Sequence, residues 1–462
     1  MKKNLFVFPV LFCLMFVLTA CPDPNINSQE PEQKTNPDDL LSPDEQKNFL
    51  VEVAEELIAT FNPADQKAAV DLADDLYYKY QNYDWNSIED EFAEEWDEFY
   101  SAEFDAFFGM PKKVIDVFNG RKKVQDLEIL LTLSKIGRVI ELDDKNKTVK
   151  ITKSNDASIT VKFSDSKGVA CEAKVWGEGK EISASYTYED YYYDYENGRI
   201  SDGMRTIKVK VPTTINMYLR HGSNSLVSMN FTWDSNLKDY VNTSLDLKII
   251  NLGFQEETKV TTTAASAVFS FTYDDNNLIT AAANLPKYKL IGWEGGKDIT
   301  EEEGENWIDE YEDKYASLLG KVGKGEAKLD ILGKIQIQGG VTDGAALVDA
   351  YYNWNDTYYR NSLDEYQDLC EMLNNYLFLS VYYNKTTTEQ AKLQMQVYED
   401  YYGYDIEPVM YFPYNNTSIA IMTYFNSSKF LGLADLIEDL ANSYIALDKN
   451  NILDLGEVEF DF

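Results

Sequence analysis

The spacing of apolar residues predicts helices in the first part of the chain. After Ser42, apolar residues recur every three or four positions, first as Phe49, Val53, Leu57 and Phe61. This spacing places them on one face of a helix. Ser42-Pro43-Asp44-Glu45 has the composition of a capping box, and Asn62-Pro63 restarts a second helix. The segment 43–136 is therefore predicted to be helical.

The period of apolar residues changes to two at residue 137. Val169, Cys171, Ala173 and Val175 alternate with polar residues, as do Leu245–Ile249 and Val268–Tyr273. Such runs recur at roughly ten-residue spacing, which predicts about a dozen strands up to residue 293. Turns are expected at Gly177-Glu178-Gly179, Gly222, Gly253 and Asp274-Asp275-Asn276-Asn277. Short connections make neighbouring strands antiparallel, so 137–293 is predicted to be an antiparallel β meander whose apolar face the helices cover.

The segment 294–462 mixes both periods. It is predicted to contain a strand at Ile331–Ile337, a helix at Ala345–Tyr358, and another helix after the capping box at Ser362. Further predicted elements are strands at Leu377–Tyr383 and Ala391–Val397, a hairpin of Val409–Phe412 with Ser418–Thr423, and a last helix carrying Leu433 to Leu447. The predicted fold class is therefore α+β, with N-terminal helices, a long antiparallel β meander, and a C-terminal mixed helix/strand segment.

The first 21 residues resemble the signal of a bacterial lipoprotein. Lys2 and Lys3 precede an apolar run from Leu5 to Leu18, which is too short to span a bilayer as a helix. Leu18-Thr19-Ala20-Cys21 then resembles a lipobox. The resemblance implies that residues 1–20 are a cleaved signal peptide and that lipidated Cys21 anchors the chain in a membrane. Residues 21–42, rich in proline and polar residues, are predicted to be the lipidated cysteine and a flexible tether.

The whole chain also resembles the uncharacterised outer-membrane lipoproteins of Bacteroidota. The lipobox, the polar tether and a Lys-, Asn- and Tyr-rich, Arg-poor β meander carry this resemblance. It implies a lipid-anchored protein of the cell envelope, in the outer membrane. The sequence leaves open whether the body faces the periplasm or the cell surface.

Composition narrows the chemistry. Acidic residues outnumber basic ones 79 to 42, which gives a net charge of −37 and excludes nucleic acid as a partner. The single histidine, His221, lies at an expected solvated turn, so multi-histidine metal sites are excluded and no Ser-His-Asp triad is predicted. No phosphate-binding loop or C-x-x-C pair occurs, so we predict no cofactor and no metal. Cys171 and Cys370 are expected to be small buried side chains, with a disulfide between them as the alternative.

One tyrosine-rich stretch is the candidate ligand site. It combines five tyrosines and two aspartates: Tyr188, Tyr191, Tyr192, Tyr193, Tyr195, Asp190 and Asp194. Rings offer flat apolar faces and carboxylates accept hydroxyl hydrogen bonds, as a sugar requires, and tyrosine also anchors protein interfaces. We expect an exposed loop here that contacts a glycan or an envelope protein. The alternative is that Tyr186 and Tyr188 end a strand and the rest is a solvated hairpin tip. Similar mixtures recur at 351–359 and 398–404.

The sequence thus predicts a non-enzymatic binding or interaction module. A structural or apolar-ligand carrier lipoprotein is the second hypothesis. A carboxylate-based glycosidase is the third, because paired carboxylates suffice for glycoside hydrolysis and have no sequence signature. The face of the sheet that the helices leave bare distinguishes the first two hypotheses.

Overall fold

A computed structural model describes residues 39–84, 137–156, 158–194, 198–235, 239–261, 263–286, 323–347, 362–400, 403–426 and 428–447. The predicted signal peptide, Cys21, most of the tether and most of the helix predicted at Ala345–Tyr358 lie outside these ranges.

Two helices open the folded body, as the sequence predicts. Helix α1 spans Pro43–Thr60 and helix α2 spans Pro63–Asn82. The Ser42 hydroxyl accepts from the Glu45 backbone N–H at 3.4 Å, and the Glu45 carboxylate accepts from the Ser42 N–H at 2.8 Å. This reciprocal pair satisfies N–H groups that no helix turn can reach, which confirms the capping box. The Asn62 side chain caps α2 in the same way, accepting from the Ala64 N–H at 3.3 Å.

All described strands belong to one sixteen-stranded sheet. The strands are β1 Arg138–Asp143, β2 Thr148–Lys153, β3 Ser158–Ser164, β4 Ala170–Asp194, β5 Gly198–His221, β6 Asn224–Ser235, β7 Tyr240–Ile249, β8 Leu252–Thr261, β9 Ala265–Tyr273, β10 Asn276–Leu285, β11 Gly325–Ile331, β12 Ile335–Val341, β13 Leu377–Tyr383, β14 Ala391–Asp400, β15 Gly403–Phe412 and β16 Thr417–Ala420. From one edge, strands β16 to β3 lie side by side in reverse sequence order. Strand β1 then pairs with β3, and β2 forms the other edge. Every neighbouring pair is antiparallel except β1 with β3.

Three further helices follow in the C-terminal part: α3 Leu363–Tyr376, α4 Ile421–Phe425 and α5 Ser428–Ile445. Helices at the start, a long antiparallel meander, and mixed elements at the end make the chain α+β, which confirms the predicted fold class. Strands β11 to β16 extend the sheet of the meander, so one sheet runs through the segments 137–293 and 294–462.

Helices α1 to α5 pack on one face of this sheet, which we call the inner face. Val53 of α1 packs with Val381 of β13, and α4 and α5 join the same cluster through Tyr424, Phe430 and Leu433. Leu72 of α2 packs with Ile140 of β1, on the same face but near the opposite edge of the sheet. The Tyr366 ring of α3 lies 6.4 Å from the Tyr404 ring of β15. The helices α1 to α5 therefore pack on the apolar face, as predicted, and not on the polar outer face.

The α1–α2 junction marks one end of the sheet, which we call the near end. The Phe61 ring stacks on Phe271 at 5.6 Å, and the Asn62 N–H donates to the Tyr273 hydroxyl at 3.3 Å. The β5–β6, β7–β8 and β9–β10 turns lie at this end, because each joins the strand ends next to these contacts. The connections from β4 to β5 and from β14 to β15 lie at the opposite end, the far end.

Several predicted strands and turns need correction. Ile331–Ile337 is not one strand, because a turn at Leu332 and Gly333, with φ of 54° and 66°, separates β11 from β12. Gly253 lies inside β8, a strand that the sequence did not predict, and the turn before it contains Ile250 at φ 55°. Ser418–Thr423 is strand only to Ala420, where α4 takes over.

Two corrections concern β4. Gly177-Glu178-Gly179 is not a turn between strands, because β4 continues through it with a shift of register between Glu178 and Glu181. Val169 does not share the buried face with Cys171 and Val175: it precedes the strand, is 36% exposed, and its N–H donates to Asp165.

Candidate functional site

Strands β4 and β5 form a hairpin that outlasts its neighbours in the sheet. Strand β3 pairs with residues 170–176 of β4, and β6 pairs with residues 214–221 of β5. Residues 181–194 and 198–212 pair with each other and with no other strand of the described chain. We call this paired segment the arm. At about 3.4 Å per residue it is about 45 Å long, and it runs towards the far end.

Six of the seven predicted ligand residues lie in the arm. Tyr188 to Asp194 are strand, paired with residues 198–205, so the exposed loop expected here is a strand pair instead. Tyr195 lies outside the described residues. The sequence missed the arm because it reads as several short alternating runs interrupted by glycine, and nothing local marks them as two long strands.

Strand alternation divides these residues into two rows. Positions 188, 190, 192 and 194 form one row, which we call the mixed row because tyrosine and aspartate alternate along it. Positions 191 and 193 belong to the other row. Nearer the sheet, the mixed row continues with apolar pairs, Ile182 with Val211 and Tyr186 with Ile207. The arm therefore brings four of the predicted residues into one row and separates Tyr191 and Tyr193 from them.

A second tyrosine-rich segment lies at the same end of the sheet. Tyr398 near the end of β14 donates to Asp405 of β15 at 3.1 Å. Tyr404 is the neighbour of Tyr366 on the inner face. These tyrosines therefore have hydrogen-bond or ring partners within the protein. The third such segment, 351–359, lies outside the described residues.

The root of the arm carries an aromatic cluster on the outer face. The Trp176 and Tyr218 rings meet edge to face, with centroids 5.6 Å apart. The Arg220 guanidinium lies 3.8 Å from the Tyr218 centroid, and the Lys174 ammonium lies 5.5 Å from that of Trp176. Tyr218 also donates to Glu172 on the neighbouring strand. Burial, and then this bond, raise the pKa of Tyr218 to about 12, so the hydroxyl remains a donor.

Amide side chains fix the position of this cluster, which we call the root platform. Asn216 is buried, donates to Glu178 at 2.8 Å and accepts from Asn230 at 2.7 Å. Glu178 also accepts from the Trp176 indole N–H at 3.4 Å. The exposed Arg220 has no hydrogen bond or ion pair within the described residues, so its donors remain free. Rings, free donors and carboxylates thus share one surface, a combination suited to polar ligands with apolar faces.

The chain enters the body at the near end. Gln390, before β14, accepts from the Leu41 N–H at 3.0 Å and donates to the Asp39 carbonyl at 2.8 Å. Gln46 in α1 donates to the carbonyls of Leu41 and Gln390 and accepts from the Tyr383 hydroxyl at 3.1 Å. Both glutamine side chains are buried. The predicted tether therefore leads to the end of the sheet opposite the arm.

The single histidine forms a structural pair. His221 is not a free turn residue: it ends β5, and its Nε2 lies 3.0 Å from Asp165 Oδ2. The His221 bond, together with the Val169 and Lys167 N–H groups, lowers the pKa of Asp165. Cys171 lies directly opposite His221, but burial raises the pKa of its thiol, which opposes formation of the nucleophilic thiolate. Cys171 and Cys370 are both free and buried, as expected.

In the part of the chain that the structure describes, no set of three or more His, Cys, Asp or Glu side chains could hold a metal ion. None of the described helices is long and apolar enough to cross a membrane. No protein-family model matches the chain, and no curated protein or solved structure matches it either.

Proposed function

We propose that the protein is anchored in the cell envelope through lipidated Cys21 and binds a glycan or an envelope protein without catalysing a reaction. The observation that carries this proposal is the arm. It extends past its neighbouring strands at the far end, whereas Gln46 and Gln390 hold the entering chain at the near end. A lipid anchor that joins the body at the near end leaves the arm at the end of the sheet farthest from the attachment point.

The mixed row is the part of the arm best suited to binding. Tyrosine and aspartate at alternate positions of one strand supply aromatic rings and hydroxyl acceptors within the same short segment. An isolated two-stranded hairpin is marginally stable, which favours an arm that gains order from a partner. The root platform supports the same function, because it adds the Trp176 ring and the free donors of Arg220 at the base of the arm.

Two double variants test this proposal, because they remove equal numbers of rings from opposite rows. Tyr188 and Tyr192 are replaced by Ser in one full-length variant, and Tyr191 and Tyr193 in the other. Binding is measured on a glycan array and by capture from an envelope extract. We expect the first variant to lose binding and the second to keep most of it, with both melting temperatures nearly unchanged. Loss in the second variant alone, or in neither, contradicts a site on the mixed row.

A large fall in melting temperature for either variant shows that its rings form core packing. A Tyr188→Phe, Tyr192→Phe variant resolves this case, because it keeps the ring area and removes only the hydroxyls. Restored stability without restored binding supports the proposed site. Restored stability together with restored binding shows that the hydroxyls are not needed for recognition, and failure to recover either rejects the site.

A further inference from the structure

One ionisable residue interrupts an apolar row that crosses ten strands of the inner face. The register pairs these residues directly, from β5 to β14. The row consists of Ile215, Phe231, Leu245, Glu256, Phe269, Ala281, Leu329, Ile337, Val381 and Ala391. Glu256 therefore has Leu245 on one side and Phe269 on the other. A carboxylate at such a position is costly unless something satisfies it.

The protein satisfies this carboxylate only in part. The Thr258 hydroxyl donates to Glu256 Oε1 at 3.2 Å. No ion pair and no second hydrogen bond to it is found within the described ranges, although a carboxylate can accept about four hydrogen bonds. Burial raises the pKa of Glu256 above its ordinary value, against the smaller opposite effect of the Thr258 bond. Within the part of the chain that the structure describes, most of the acceptor capacity of this group is therefore unused.

Solvent reaches the sheet at this point of the inner face. Glu256 is half-buried, and so are the rings of Phe254, Phe269 and Phe271 around it, whereas Phe231 in the same row is buried. The Phe254 and Phe271 rings are 4.7 Å apart, and Phe61 stacks on Phe271 from the near end. Three partly buried rings thus neighbour one carboxylate that accepts a single side-chain hydrogen bond within the described residues.

A second polar group with an unused bond lies beside this carboxylate. Thr243 is 3% exposed, and its hydroxyl has no hydrogen-bond partner within the described residues. It lies directly opposite Thr258, and so diagonally across from Glu256. A small number of polar groups among aromatic side chains is typical of a small-molecule site.

We propose that Glu256 and the rings of Phe254, Phe269 and Phe271 bind an amphipathic amine, with its ammonium group beside the carboxylate and its apolar body on the rings. Charge complementarity selects this ligand, because an ammonium group offers hydrogen-bond donors and a positive charge to pair with the Glu256 carboxylate. A fatty acid brings a second negative charge to the site and is disfavoured. The inference goes beyond the proposed function, because this site lies on the inner face and uses no residue of the arm.

The test compares three probes that share one alkyl chain: dodecylamine, dodecanol and dodecanoate, each below the concentration at which it forms micelles or separates from solution. Each competes with the fluorescent apolar probe N-phenyl-1-naphthylamine for the full-length protein. Dodecylamine is expected to compete best, and Glu256→Gln to weaken it about tenfold or more while leaving dodecanol unchanged. Glu257→Gln is the matched control, because Glu257 is the next residue and is exposed on the outer face.

Folding is controlled in the same experiment. Glu256→Gln keeps the shape and removes a desolvated charge, so its melting temperature at neutral pH should equal or exceed that of the native chain. Equal dodecylamine binding by the native chain and Glu256→Gln overturns the inference, as does failure of all three probes to compete. The arm variants should still bind dodecylamine, so failure of the arm proposal is distinguishable from failure of this one.

Discussion

Gln46 and Gln390 are 344 residues apart in sequence, and the Gln46 side-chain amide donates to the Gln390 backbone carbonyl at 2.8 Å. Around this bond the two glutamines hold the backbone at Asp39 and Leu41 and the hydroxyl of Tyr383. The first described residues of the chain are thereby attached to the connection before β14. These hydrogen bonds set the point from which the predicted tether leaves the body.

Replacement of Gln46 by Ala should destabilise the body. The change leaves the carbonyls of Leu41 and Gln390 and the Tyr383 hydroxyl without a buried partner. Each unsatisfied buried group costs about 1–3 kcal/mol, and the losses of neighbouring groups are not additive, so we expect the free energy of unfolding to fall by about 3 kcal/mol or more. Denaturant unfolding measures it. Gln255→Ala on the outer face is the control. An equal effect of both changes contradicts the structural role of the Gln46 hydrogen bonds.

The anchor is tested by Cys21→Ala. If Cys21 carries the lipid, the variant body should move from the membrane fraction to the soluble fraction, because the remaining sequence offers no comparable anchor in the part that the structure describes. Fractionation with a salt wash separates a lipid anchor from charge-driven adsorption. Continued salt-resistant sedimentation of the variant contradicts the lipoprotein prediction.

The bond between Asp165 and His221 gives a pH-dependent contribution to stability. The pKa of Asp165 is lowered in the folded state, so this contribution is present above the ordinary Asp value of about 3.9 and is lost as pH falls through the lower folded value. Asp165→Asn should therefore melt below the native chain at pH 6, and the two melting temperatures should converge at acidic pH. Asp275→Asn, at an exposed surface pair, is the control.

The root platform predicts a neutral glycan ligand. Trp176→Ala and Arg220→Ala should each weaken binding of neutral oligosaccharides about fivefold or more, because one removes the ring and the other the free donors. Isothermal titration calorimetry measures the affinity. Tyr411→Ala is the matched control. Tyr411 lies on the same outer face, towards the β16 edge of the sheet, and the Lys392 ammonium lies 5.2 Å from its ring centroid. Unchanged affinity in both platform variants assigns the sugar to another surface.

Local chemistry explains what the sequence predicted correctly. The cap at Ser42 and Glu45 depends on residues three positions apart, so composition alone identifies it. The strands that alternate cleanly, such as β6 and β7, were found for the same reason. Strand β8 was missed because Gln255, Glu256 and Glu257 are consecutive polar residues, so the position that Glu256 takes on the inner face hides the alternation.

Long-range pairing explains what could not be predicted. The composition of the Tyr188–Tyr195 stretch predicts a binding surface, which stays a prediction. The pairing of residues 188–194 with residues 198–205 depends on a register that composition does not give. The His221–Asp165 pair joins residues 56 positions apart, and the root platform joins β4, β5 and β6. The polar spacing along any one of these strands does not reveal its partner.

Removal of the arm tests the central claim most directly. Residues 181–194 and 198–212 pair only with each other among the described strands, so a short turn can replace 182–211 without breaking another strand pair. Pro212 is kept, because its carbonyl accepts from the buried Trp233 indole N–H at 2.7 Å. Partner capture from an envelope extract and on a glycan array is then compared with that of the full chain. The account predicts a nearly unchanged melting temperature and loss of binding. A folded, arm-deleted protein that binds as well as the full chain contradicts it.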